Sequence, residues 1–138
     1  MRKCYLFVLF AVIVSSCGFV YEEQICGNYY LIAVDTMNDL SLSYHYSKFD
    51  TSEGIVSDGI YYVATNNDYI IIKKHPYIDE VSRLKLDEGK TDYYIVKVDK
   101  DSTCFDESTR LGPYIKDEFE HKIDELKITD LHEVYSSD

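Results

Sequence analysis

Residues 59–76 read GIYYVATNNDYIIIKKHP. Two apolar runs, Ile60 to Thr65 and Tyr69 to Ile72, flank Asn66, Asn67 and Asp68. Asparagine accepts the left-handed backbone of a tight turn, and the flanks are aromatic and β-branched, so the stretch reads as a β-hairpin. Pro76 ends its second strand, because proline has no N–H for a ladder. Upstream, residues 28–35 (NYYLIAVD) are apolar enough for a central strand. Residues 40–46 (LSLSYHY) alternate, with Leu40, Leu42, Tyr44 and Tyr46 on one face and Ser41, Ser43 and His45 on the other. The turn-like TMND between them makes a second hairpin, and SKFDTSEG after them reads as a polar loop.

Downstream, residues 77–91 leave two readings open for Val81, Leu84 and Leu86, a short strand or one helical turn. DYYIVKVD (92–99) is a further strand. The period then changes. Ile115, Phe119, Ile123 and Leu126 recur at helical spacing, Pro113 suits a first helical position, and Asp117 and Glu118 suit the positive end of the helix. LHEVY (131–135) reads as a last edge strand. Tyr-Tyr pairs begin at Tyr29, Tyr61 and Tyr93, yet the residues after each pair share little, which argues against a repeat protein. The expectation is a single α+β domain over 28–138: a mostly antiparallel sheet of five or six strands packed by one C-terminal helix.

The N-terminus carries Arg2 and Lys3, then an apolar run from Tyr5 to Val14 that is too short for the roughly 20 residues of a membrane span. This is the pattern of a secretion signal. It closes on Val14-Ser15-Ser16-Cys17, which resembles the lipobox of bacterial lipoprotein signal peptides. The resemblance implies a signal peptide over 1–16, acylation of Cys17, and a short tether to residue 27 that holds the domain against the cell membrane or outer membrane, outside the cytoplasm. Cleavage there removes two basic residues and no acid, taking the net charge from −11 to −13. So acidic a chain is repelled by nucleic acid and by anionic lipid headgroups, and its attachment to a membrane falls to the lipid. Cys26 and Cys104 remain. Outside the cytoplasm such a pair favours a disulfide, worth roughly 4 kcal/mol, over two free thiols.

The segments VSSC, DLSLSY (39–44), NDYIIIKKHP (67–76), YYIV (93–96) and LGPYIKDEFEHKIDEL (111–126) together resemble a domain-of-unknown-function family of small bacterial lipoproteins. Tyr69, Ile70, Ile71, Lys73, His75 and Pro76 fit its first block, Tyr93, Tyr94 and Ile95 its second, and Gly112, Pro113, Glu118, Phe119, Glu125 and Leu126 its third. The resemblance implies export, lipidation and a small α+β domain, and brings no activity. Lys73, Lys74 and His75 form the one basic cluster of an acidic mature chain, a candidate anion site or a strand end that discourages edge pairing. Glu118, His121 and Glu125 share a helical face, which reads as a solvated surface and, in the rival reading, as metal ligands. Ser41 and Ser43 near His45 carry no nucleophile-elbow pattern. The residues favour a non-catalytic, lipid-anchored binding module with no cofactor, no metal and a basic or neutral protein partner. The alternatives are a small envelope hydrolase or metal-dependent enzyme, and an inhibitor of a cationic enzyme or peptide.

Overall fold

The triple isoleucine of the opening hairpin is buried on both sides, and the molecule is built around it. The computed structural model describes residues 18–137, so the segment read as a signal peptide and Cys17 lie outside the described residues. In chain order these form β1 (Tyr21–Cys26), β2 (Tyr29–Ala33), β3 (Ser41–Tyr46), β4 (Thr51–Val56), β5 (Ile60–Thr65), β6 (Tyr69–Lys74), β7 (Asp92–Lys97), β8 (Arg110–Tyr114), α1 (Lys116–Glu125) and β9 (His132–Ser136). All pairings between strands are antiparallel: β1-β2-β3-β4 make one sheet and β8-β7-β6-β5-β9 a second. The fold is a single α+β domain in three layers, with the four-stranded sheet, the five-stranded sheet and the helix stacked in that order.

The alternation within β6 shows why. Ile70 and Ile72 face the four-stranded sheet, where they meet a core that includes Leu31, Leu42, Tyr44 and Val56. Ile71 points the other way, into a smaller cluster with Ile95, Phe119 of α1 and Ile128. A strand covered on both faces needs a continuous apolar run. The turn before it is tied as the asparagines suggested: Asn67 has φ 69°, and Asn66 Oδ1 accepts from the N–H groups of Asp68 and Tyr69 at 3.1 and 2.9 Å. The three Tyr-Tyr pairs land in unlike places. Tyr29 is core, Tyr61 stacks on His75, and Tyr93 packs against Phe119 with ring centroids 4.8 Å apart.

Several segments differ from the sequence expectation. The helix packs a five-stranded sheet as anticipated, but a second sheet lies beneath it, because two segments read as tether and loop are strands. Tyr21–Cys26 pairs with β2 through its backbone, and Tyr21 and Ile25 pack on the core. Thr51–Val56 pairs with β3, where only Ile55 and Val56 are buried and the polar remainder marks an edge. Pro113 lies in β8 rather than in the helix. That strand is also an edge, which tolerates a missing N–H, and α1 starts at Lys116. Ile115 consequently precedes the helix and is exposed, while Phe119, Ile123 and Leu126 keep the packing stripe. Residues 77–86 form a short arm closed by a bridge between Tyr77 and Leu86, with one helical turn at its tip where the Arg83 N–H bonds the Asp79 carbonyl.

Antiparallel pairing sorts the loops to two ends. The chain entry before β1, the β2–β3, β4–β5 and β6–β7 loops and the β8–α1 junction share one end, and the remaining turns share the other. The Gly59 N–H to Asn38 carbonyl bond at 2.8 Å fastens the two sheets at the entry end, and Tyr44 OH to the Ser102 carbonyl, also 2.8 Å, does so at the far end. Among the described residues, eight of the ten large apolar side chains left exposed lie at the entry end. Phe19 and Val20 sit on the entering chain, Val34 and Met37 in the β2–β3 loop, and Ile115 at the end of β8. Ile78, Val81 and Leu84 crown the arm between β6 and β7, the last two 93% and 88% exposed. Phe49 and Leu131 are at the far end.

Candidate functional site

The basic cluster at the end of β6 does not stay together. Strand alternation sends Lys73 and Lys74 to opposite faces, and a β-bulge at Tyr61 on the facing strand separates Ile60, opposite Lys74, from Tyr62, opposite Lys73. The Lys73 ammonium sits 4.3 Å above the Tyr62 ring. It lines an open groove of about 440 Å³ beside α1 with Glu120, Asp124 and Ile123. Lys74 turns to the opposite side, where it donates to the Ser57 carbonyl and burial pulls its pKa down. His75 stacks on Tyr61 at 4.3 Å, and its Nδ1 stands 2.8 Å from the Lys90 carbonyl. A carbonyl only accepts, so Nδ1 carries the proton and Nε2 is the free nitrogen of the neutral ring. His75 lines a second open cleft of about 350 Å³ with Tyr61, Asn38, Leu86 and Glu88. Three diverging side chains, two of them engaged, form no joint cradle for an anion.

The remaining residues singled out by sequence are also placed. Cys26 and Cys104 are both free thiols near the far end. Cys26 is half-buried, which pushes its pKa up against the lowering hydrogen bond with Thr65, while Cys104 is exposed beside Ser102. On α1, Glu118 accepts from the Ile115 N–H at 3.4 Å, the start of the helix, and Glu125 takes the Lys122 ammonium at 2.8 Å. That bond is the leading cause of the lowered Glu125 pKa. Among the described residues, no group of three His, Cys, Asp or Glu is placed to hold a metal ion.

A site that sequence reasoning left unassembled lies on the outer face of the four-stranded sheet. The alternation of β3 sends Leu42 and Tyr44 inward and Ser41, Ser43 and His45 outward, as the pattern indicated. Ile32 of β2 floors the trough between them, and Ser52 and Gly54 of β4 extend it to the edge. The small side chains leave an open trough of about 540 Å³, rimmed by Phe19 and Val34 at the entry end and by Glu22 and Asp50 elsewhere. Its hydroxyls point into one space. Ser41 donates to the Ile32 carbonyl at 3.1 Å and lies 3.5 Å from the Ser43 hydroxyl, and Ser52 Oγ is 3.3 Å from His45 Nδ1. Tyr30 sets its ring beside His45 with centroids 5.8 Å apart.

Ser52, His45 and Asp50 invite comparison with a catalytic triad. His45 Nε2 is 3.8 Å from Asp50, however, and the Asp50 side chain is 97% exposed, so water screens the attraction that would orient the imidazole. The cluster is an array of donors and acceptors with Ser43 buried at its floor, suited to hydrogen-bonding a ligand between two carboxylates. What sequence missed was β4: without Thr51–Val56 as a strand, Ser52 and Gly54 had no reason to stand beside Ser43 and His45.

No curated protein and no solved structure matches the chain. The family described as "Protein of unknown function (DUF3997)" matches residues 26–135, which takes in β2 through nearly all of β9 and therefore both sheets and the helix. Covering most of the chain and nearly all of the fold, that match settles kinship: the chain belongs to this family of unknown function.

Proposed function

We propose that the protein is a lipid-anchored, extracytoplasmic binding module that does no catalysis and takes a basic or neutral partner through the trough on its four-stranded sheet. The observation that carries this reading is the trough itself, a broad open surface of Ser41, Ser43, Ser52 and His45 between Glu22 and Asp50. Small hydroxyls beside an aromatic ring hydrogen-bond adaptably at low ordering cost. Carboxylates at the rim and a mature charge of −13 steer a cationic partner in a salt-dependent way. The lipid anchor rests on the N-terminal sequence, where Cys17 follows its apolar run. A sharper form of the proposal is an inhibitor that covers a cationic enzyme or peptide at the envelope.

The test is a titration of the isotope-labelled protein with extended peptides of matched length, one set basic and one acidic, read by amide chemical shifts. Basic peptides should move the amides of Ser41, Ser43, His45 and Ser52, with affinity falling as salt is raised. Equal shifts with acidic peptides, or shifts confined to other surfaces, would contradict the reading. Turnover of a peptide or ester substrate that disappears in Ser52→Ala would move the protein to the hydrolase alternative.

A further inference from the structure

We infer that the entry end of the domain is a membrane-docking surface, with the arm at residues 77–86 inserting aliphatic side chains into the lipid interface. The inference rests on the lipid-anchor reading of Cys17 and adds an orientation to it. Cys17 lies two positions before Phe19, so a lipid there brings the bilayer to the end where Phe19 and Val20 enter the fold. The exposed apolar side chains concentrate at that same end. The arm is also built to hold its shape. The Ile78 N–H bonds the Lys85 carbonyl at 2.9 Å, the Arg83 N–H the Asp79 carbonyl at 3.0 Å, and the Asp79 carboxylate accepts from Val81 N–H at 3.0 Å and Ser82 N–H at 3.3 Å. Tyr77 OH and Arg83 both reach Asp58, at 3.3 and 3.7 Å, and brace the arm against the β4–β5 loop.

Chemistry selects a bilayer over a protein groove. Val81 and Leu84 project from the tip almost fully exposed, with Glu80 before Val81 and with Arg83 and Lys85 on either side of Leu84. Long basic side chains beside aliphatics suit a headgroup boundary, where the stem is buried and the charge stays in water. Of the arm's two acids, Asp79 is turned back to cap the arm's own N–H groups, and Glu80 stands exposed beside Val81. Protein-binding arms of comparable exposure would gain from aromatic anchors, and this tip has none.

The experiment uses the full chain in its own membranes, with a photoreactive residue in Val81→benzoylphenylalanine and, at the far end, in Phe49→benzoylphenylalanine. Fractionation reads the anchor and irradiation reads the orientation. Docking predicts phospholipid adducts at position 81 in about tenfold excess over position 49, the ratio sustained by moving one aliphatic side chain out of water. Membrane-bound protein whose position 81 crosslinks to another protein, or no more to lipid than position 49, overturns the docking surface and leaves the anchor intact. Protein found free of membranes overturns the anchor and the docking with it. Val81→Ser with Leu84→Ser, on a surface arm outside the core, should leave fractionation unchanged and expose the Arg83 bond to trypsin in intact vesicles. Unchanged protection of that bond would also contradict docking.

Discussion

Gly59 sits at φ 75°, and a Cβ there would stand 2.5 Å from the His75 carbonyl oxygen and 2.9 Å from Leu86 Cδ2. Backbone strain and collision act together, so Gly59→Ala should lower unfolding free energy by about 1–3 kcal/mol. Gly54, in an ordinary strand conformation with open space around it, provides the control: Gly54→Ala should stay within about 0.5 kcal/mol of the parent in the same urea titration. The two thiols give a second residue-scale test. Brief alkylation near neutral pH should label exposed Cys104 well before half-buried Cys26, whose pKa burial pushes up. Equal rates would contradict the placement of Cys26, and two unreactive cysteines with a mass two protons lighter would mean that a bridge has formed. Sequence read the partners of such residues poorly. The pleat of β6 sends Lys73 and Lys74 to opposite faces, as the two-residue period announces, whereas nothing in KKHP reports the bulge at Tyr61 that sets their neighbours on β5.

Elements were legible where their period was clean. The alternation of β3 and the turn between β5 and β6 were read from sequence with the correct faces, since burial on one side writes a two-residue period and asparagine marks the reversal. Edge strands were not. Glu22, Glu23, Ser52 and Glu53 lie in β1 and β4, whose pairing comes from backbone groups that composition does not report. The helix was legible in its stripe and misplaced at its start, with a measurable consequence. Phe119→Ala removes a ring packed on Tyr93 and Ile71 and should cost about 3 kcal/mol, whereas Ile115→Ala, at a position 64% exposed before α1, should cost less than about 0.5 kcal/mol. Comparable losses would restore Ile115 to the packing face.

For the molecule as a whole, tyrosine couples stability to alkaline pH. Burial, reinforced by the hydrogen bond to Glu23, pushes Tyr21 up to about 12. Burial likewise raises Tyr29, Tyr77 and Tyr94, and the hydrogen bond to Glu53 raises Tyr46. The folded state therefore keeps phenolic protons that the unfolded chain releases from its ordinary value of 10.0 upward, and stability falls as pH rises through that window. Lys74 acts oppositely: its lowered pKa makes the charged form a cost that is relieved by the time pH reaches 10.5. Lys100 and Lys122, raised by Asp68 and Glu125, add to the fall above that point. Urea midpoints should decline steadily above pH 10.5, and a flat profile would contradict the burial of these rings. Charge and membership of a family of unknown function were legible in the sequence, while the trough and the apolar entry end emerged only from strand order. Both take their proposed roles from the lipid anchor read at Cys17. The deciding measurement is fractionation of cells carrying the full chain or its Cys17→Ala variant. The parent chain should sediment with membranes and the variant should not, and equal retention of the two would contradict attachment through Cys17.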